Sequence, residues 1–192
     1  MLTSINEMSA QIKAYYFLST NLEKLNGEAW YANAYDECSR LADAYYMSVR
    51  TVVGIVTALS PRNKWERNIS DAERIILCGS DATVSTFKAN KEKALRISDG
   101  HEPLDVLVGN KVRAFFECII SAYGHTSTVC VDSHSYAVAC GYGERVQKRN
   151  ISDFDYKTIS AAYRLAADEL GLKPYELQAI TWLTYRRIHN VY

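Results

Sequence analysis

The sequence predicts an all-α fold, a compact bundle of about eight helices, and three observations carry that prediction. Only 3 prolines and 9 glycines occur in 192 residues, so few positions interrupt a helix. Apolar residues recur at helical rather than alternating spacing in segment after segment. Serine, aspartate or proline stands at the start of several of these segments, and glycine at the end. Hydrophobic residues make up 48% of the chain, enough to build a core without disulfides or metals. With no repeat, low-complexity tract or polar linker, residues 1–192 read as one helical domain, which two lobes would also satisfy.

Taken in order, Ile5 to Leu25 is helical in character. Trp30 to Tyr45 follows, with Tyr31, Ala34, Tyr35, Cys38, Leu41, Ala42 and Tyr45 on one stripe. The segment Val49 to Leu59 (VRTVVGIVTAL) is almost wholly apolar. Its β-branched residues allow a strand, but its length and helical neighbours favour a buried helix. Ser60-Pro61 predicts a helix start, serine as N-cap and proline at the first helical position, running to about Leu77 and ending near Gly79. Residues 81–98 read as looser, closing on a turn at Asp99-Gly100. From Lys111 to Ala122, the residues Val112, Phe115, Phe116, Ile119 and Ile120 define one buried face. Asp132 is placed to cap a helix through about Cys140, with Gly141 and Gly143 ending it. Tyr156 to Leu170, stopped by Gly171, and Pro174 to about His189 complete the set.

Charge and cysteine usage narrow the function classes. The 22 basic and 22 acidic residues cancel, so no global charge points to a polyanion, and nucleic-acid binding would need a local basic face. Cys38, Cys78, Cys118, Cys130 and Cys140 match no zinc or iron–sulfur spacing and read as reduced, buried thiols of a cytoplasmic protein. No stretch reaches the roughly 20 apolar residues of a membrane span, and the first residues lack the pattern of a signal peptide.

Two short segments carry the candidate chemistry, LVGNKV at 107–112 and VCVDSHSYAVACG at 129–141. One amphipathic helix of about 18 Å and a short return separate Lys111 from Asp132, so the chain is long enough for the carboxylate to meet the amine. A lysine at the edge of an apolar face can lose its proton by desolvation and become a nucleophile. An aspartate at a helix N-terminus sits among amide dipoles that favour its charge, and can stabilise positive charge on a sugar or orient the lysine. His134, two residues beyond Asp132, gives an Asp-x-His pair that lacks a nearby third ligand. A hydrogen bond within the fold therefore outranks a metal. In ELQAITWLTYRR, Gln178 and Trp182 share a helix face that reads as core, with Arg186 and Arg187 on the exposed side; the alternative is a pocket wall with a phosphate-facing edge.

The run LVGNKVRAFFECIISAYGHTSTVCVDSHSYAVACG resembles the signature half of the helix-hairpin-helix DNA glycosylase superfamily, the endonuclease III and 8-oxoguanine glycosylase kind. In that family a glycine-containing hairpin leads into a helix whose early lysine is the nucleophile of bifunctional members, and a V-D-x-H segment brings the catalytic aspartate. The resemblance places Gly109 at the hairpin glycine, Lys111 at the nucleophile, Asp132 at the aspartate and His134 just beyond it. It extends more loosely to ALSPRNKWERN, where the family carries a residue that fills the gap left by a flipped base. The departures are Val106 and Leu107, which stand where the family has proline and the first hairpin glycine. The cysteine cluster of some members is absent, so no iron–sulfur centre or other cofactor is expected.

What the resemblance implies is excision of a damaged or modified base from double-stranded DNA by a monomeric, two-lobed helical enzyme. The base is turned out of the duplex, because its glycosidic carbon is unreachable in the stack. Lys111 and Asp132 would be catalytic. Arg62, Asn63, Lys64, Trp65, Gly109, Asn110 and His134 would contact DNA, with Arg67 and Asn68 extending the set. Two other readings remain open. A glycosylase-fold protein can act on modified bases or nucleotides in phage DNA hypermodification, and a helical binding module can use Lys111 for phosphate contact alone.

Overall fold

A computed structural model describes residues 4–141 and 150–191. Among them the chain is all-α, with ten α-helices, one short 3₁₀ turn and no strand. The helices are α1 (Ile5–Phe17), α2 (Asn21–Ala44), α3 (Val49–Leu59), α4 (Trp65–Cys78), α5 (Lys88–Ser98), α6 (Pro103–Val106), α7 (Asn110–Ile120), α8 (Ser133–Cys140), α9 (Asp153–Leu170) and α10 (Pro174–Ile188). The chain divides into two compact units, residues 32–123 and the remainder, with one boundary inside α2.

In the unit formed by the two chain ends, α1 packs on α8, α9 and α10. Met8, Ile12, Val138, Tyr163, Leu177 and Tyr185 lie at its core, none more than 1% exposed. The break between α1 and α2 falls at residues 18–20, not between Leu25 and Trp30 as the sequence predicts. Thr20 starts α2 by a reciprocal cap: Glu23 N–H donates to Thr20 Oγ1 at 3.2 Å and Thr20 N–H to Glu23 Oε2 at 2.8 Å. Gly27 sits inside the helix because α10 crosses there. A Cβ at that position would lie 2.5–2.6 Å from Ile180, including its backbone N and Cα. Ser152, accepting from Asp155 N–H at 3.1 Å, starts α9 at Asp153, ahead of the predicted Tyr156.

In the unit of residues 32–123, α3 is the central element. Every residue from Val52 to Leu59 is buried, as the apolar run predicts, and α4, α5, α6 and α7 pack around it. Ser60-Pro61 does not begin a helix. Ser60 ends α3, with its Oγ donating to Thr57 O at 2.8 Å, and Asn63 N–H closes a turn onto Ser60 O at 3.0 Å. Arg62, at φ +62°, then redirects the chain, and α4 starts only at Trp65.

Residues 81–98 are not loose throughout. They contain α5, whose buried residues Asn90, Ala94 and Ile97 face the core while the rest of the helix is largely lysine, glutamate and arginine. Two apolar residues and one asparagine buried over three turns are too sparse to register as an amphipathic pattern. The buried face of α7 is Ala114, Phe116, Cys118 and Ile119, with Val112, Phe115 and Ile120 only half-buried, so the stripe is rotated from the one predicted. Gly141 ends α8 as expected, whereas Gly143 lies outside the described residues.

Cys38, Cys118 and Cys130 are buried, but Cys140 is half-buried and Cys78, at the end of α4, is exposed. Burial pushes the Cys38 thiol up to about 12. Among the described residues, no helix is long and apolar enough to cross a membrane.

Candidate active site

Asp132 gathers three hydrogen-bond donors. It is the N-cap of α8, in extended backbone, and its Oδ1 accepts from Ser135 N–H at 2.8 Å and from Ser135 Oγ at 3.0 Å. Its Oδ2 accepts from Trp182 Nε1 at 3.1 Å. The Asp132 side chain keeps 16% exposure, so most of its coordination comes from protein and a small remainder is open. Three donors converge on one carboxylate; two come from Ser135 in the first turn of α8, and the third, Trp182 Nε1, is one that the fold, not the local chain, must place.

His134 lies on the same side, its Nδ1 3.7 Å from Asp132 Oδ2. Its ring centroid is 5.3 Å from that of Tyr185 and 6.2 Å from that of Trp182, so the imidazole is held in an aromatic setting beside the carboxylate. The guanidinium of Arg186 stacks over Trp182 at 4.3 Å. Burial and then the charge of Asp132 raise the Tyr185 phenol above its usual range. Tyr163, wholly buried, is raised mainly by burial and bonds Thr181 Oγ1 at 3.1 Å. Both phenols therefore remain protonated near neutral pH.

Behind this face runs a buried polar chain. Tyr31 Oη donates to Gln178 Oε1 at 3.0 Å, and Gln178 Nε2 donates to Ser135 Oγ at 3.2 Å. On α10, Trp182 thus reaches Asp132 directly and Gln178 only through Ser135, while Arg187 on that helix pairs with Glu23.

Lys111 belongs to the other unit. It is the second residue of α7, just after the turn Leu107-Val108-Gly109 that joins α6 to α7. Gly109 adopts φ +87°, which L side chains avoid, although no atom lies within 4 Å of a Cβ built there; backbone conformation, not space, demands the glycine. Arg113 staples this turn, its Nη1 donating to Leu104 O at 2.6 Å and Leu107 O at 3.2 Å. Leu107, where the resembled family has a glycine, is buried and anchors the turn by its side chain. Asn110 and Lys111 are exposed. The expectation that burial in the fold desolvates the lysine does not hold, because its place at the helix mouth leaves it in solvent.

The loop before α4 is structured by its own contacts. Asn63 Nδ2 donates to Asp71 Oδ2 at 3.1 Å and Asn63 Oδ1 accepts from Lys64 N–H at 3.1 Å. Asp71, fully buried, also accepts from Ser85 N–H at 2.9 Å and Arg74 Nη1 at 3.0 Å. Trp65 Nε1 donates to Glu37 Oε2 at 2.7 Å, and its ring meets Phe115 edge-on at 6.5 Å. Arg62 and Lys64 are exposed, Arg62 lying 5.5 Å over the Phe87 ring. Of the four residues expected at DNA here, Asn63 and Trp65 are engaged within the unit, while Arg62 and Lys64 face solvent.

The structure brings Asp132 and His134 together. It places Gly109, Asn110 and Lys111 at one turn, and Arg62 to Trp65 at another, in the unit of residues 32–123. Ser135, Tyr31, Tyr163 and Asp71 were not foreseen, since each acts through partners remote in sequence or through a hydroxyl that no motif marks.

The fold and these side chains define an all-α protein with a braced carboxylate at a helix N-terminus and a lysine at the mouth of a glycine-turned helix. The profile of the Family of unknown function (DUF7178) matches residues 2–189, and the chain belongs to that family. No curated protein and no solved structure matches it.

Proposed function

We propose that this protein is a DNA N-glycosylase with associated lyase activity, in which Asp132 supports base release and Lys111 is the nucleophile. The observation that carries the proposal is the Asp132 carboxylate, capped at α8 and bonded by Ser135 and Trp182, with His134 beside it. Such a fixed anion stabilises the positive charge that develops on a deoxyribose as its base departs. The turn with Gly109 at φ +87° supports the reading of the lysine, since it presents Lys111 at a helix N-terminus open to a polyanion.

In the proposed reaction the deprotonated Lys111 amine attacks C1′ of an extruded nucleotide. The glycosidic C1′–N bond breaks, and the base leaves with the electron pair and takes up a proton. The resulting aminal opens to a Schiff base, from which elimination of the 3′-phosphate cleaves the strand. Since Lys111 is exposed, its desolvation has to come from the docked DNA.

Borohydride trapping on a duplex carrying an abasic site tests the nucleophile without knowledge of the natural base. The wild type should give a covalent adduct, and Lys111→Ala should lose it while retaining the fold. An undiminished adduct in the variant removes Lys111 from the mechanism. The exposure of Lys111 also favours a second reading, a helical DNA-binding module whose lysine contacts phosphate alone. Salt-dependent binding without an adduct, retained after loss of Asp132, selects that reading.

A further inference from the structure

The bonds that end on Asp132 run in one direction. Tyr31 Oη spends its proton on the carbonyl end of Gln178, which fixes that amide's orientation and turns its nitrogen to Ser135. An amide nitrogen only donates, so the Ser135 hydroxyl receives there and has its single proton left for Asp132 Oδ1. Tyr31, Gln178 and Ser135 are 3%, 5% and 0% exposed, so bulk water cannot replace any of them. Aligned bonds in a dry interior polarise one another, and a chain of this kind holds its last member more firmly than one bond does.

We infer that Gln178 and Ser135 are positioning residues for Asp132, and that Oδ2, not Oδ1, is the oxygen that faces the reacting sugar. Oδ1 is saturated by two donors from Ser135, one of them fixed from behind by Gln178. Oδ2 has Trp182 Nε1 as donor and lies on the side of His134. Gln178 therefore acts on chemistry without touching substrate, through the rotamer of Ser135 and then of the carboxylate. This inference rests on the glycosylase reading for the reaction it serves, but the hydrogen-bond chain itself can be measured without that reaction.

The experiment measures single-turnover base release from duplexes carrying oxidised, alkylated or deaminated bases, together with Kd for an abasic duplex. The proteins are the wild type, Tyr31→Phe, Gln178→Met, Ser135→Ala and the Gln178→Met/Ser135→Ala double variant. Loss of one link should slow release by about tenfold, the worth of one buried hydrogen bond, with Kd unchanged. The double variant should be no slower than Ser135→Ala alone, because Gln178 works through Ser135. Tyr31→Phe removes one hydroxyl, so it keeps the test alive if Gln178→Met fails to fold.

Wild-type rates in a folded Gln178→Met, or fully additive losses in the double variant, overturn the inference. If the wild type releases no base from any duplex, the same variants are compared in urea unfolding. Non-additive losses of stability for Gln178→Met with Ser135→Ala then uphold the chain while the glycosylase reading falls, and additive losses overturn both.

Discussion

Replacing Asp132 by asparagine separates its charge from its cap. The carboxylate meets three donors, two from Ser135 on Oδ1 and Trp182 Nε1 on Oδ2. An asparagine can keep its oxygen toward Ser135 and go on capping α8, since asparagine caps as well as aspartate. Its NH₂ must then face the indole N–H, donor against donor. The reverse rotamer satisfies Trp182 but turns NH₂ onto two donors, so it is worse. One unsatisfied, largely buried donor pair costs about 1–3 kcal/mol, and a chain of this length loses roughly 2–4 °C in melting temperature per kcal/mol. Asp132→Ala forfeits the cap as well, adding about 0.5–2 kcal/mol. The order of stability is thus wild type, asparagine, alanine. Thermal unfolding followed by circular dichroism and by tryptophan fluorescence reads it directly. Adding Trp182→Phe to Asp132→Asn removes the opposing N–H, so the two losses should be less than additive. An asparagine variant as stable as the wild type, or strict additivity with Trp182→Phe, refutes the donor count. On base release, asparagine should cost far more than on stability, because the anion that opposes developing positive charge is gone.

Other expectations follow from single contacts. Lys111→Ala, at an exposed position, should change stability by no more than about 0.5 kcal/mol while abolishing the trapped adduct; a melting shift beyond a few degrees would mean that its role is structural. Gly27→Ala should be severe, since the new methyl would meet backbone atoms of Ile180 at 2.6 Å and α10 would have to move; a loss below about 1 kcal/mol in urea unfolding contradicts that packing. Burial of Glu23 opposes its charge, but hydrogen bonds from Arg187 and Thr20 outweigh it and hold the carboxyl below the usual range. Its folded-state value is thus depressed, so its contribution is whole above about pH 4.3, the ordinary glutamate value, and fades as pH falls through the lower folded value. Glu23→Gln should therefore narrow its stability gap to the wild type on acidification, and a gap that widens reverses the assignment.

Local signals read well in the sequence where one segment contains all of its physics. The continuous apolar run of α3 says that it is buried, and Asp132 before Ser133–Cys140 says that it is a cap. The same local logic misled at Ser60-Pro61, where a good helix start is overruled by the left-handed Arg62 and by a serine already closing the preceding helix. It also passed over α5, which buries about one residue per turn, and over Thr20, whose cap depends on Glu23 three residues on. On local grounds alone, glycine inside a helix is unfavourable, as at Gly27. Only the close crossing of α10 turns it into a requirement of packing.

The same division explains why the two halves of the candidate site differ in how far sequence reading reaches. Around Lys111 the informative features are adjacent residues: a glycine with positive φ, a buried leucine, and an arginine that caps two carbonyls of its own turn. Motif resemblance registers such features directly, yet they leave the amine in solvent and so do not by themselves make it a nucleophile. Around Asp132 only the cap is local. Its second oxygen depends on Trp182 and its first on a chain that begins at Tyr31, partners brought in from α10 and α2. A carboxylate that merely capped an eight-residue helix would need Ser135 N–H and solvent. One that also recruits an indole, a serine hydroxyl and a buried amide is held in a single rotamer, at an entropic and desolvation cost that capping does not require. That surplus of positioning, more than the spacing of the motif, is the ground on which a role beyond capping is proposed for Asp132.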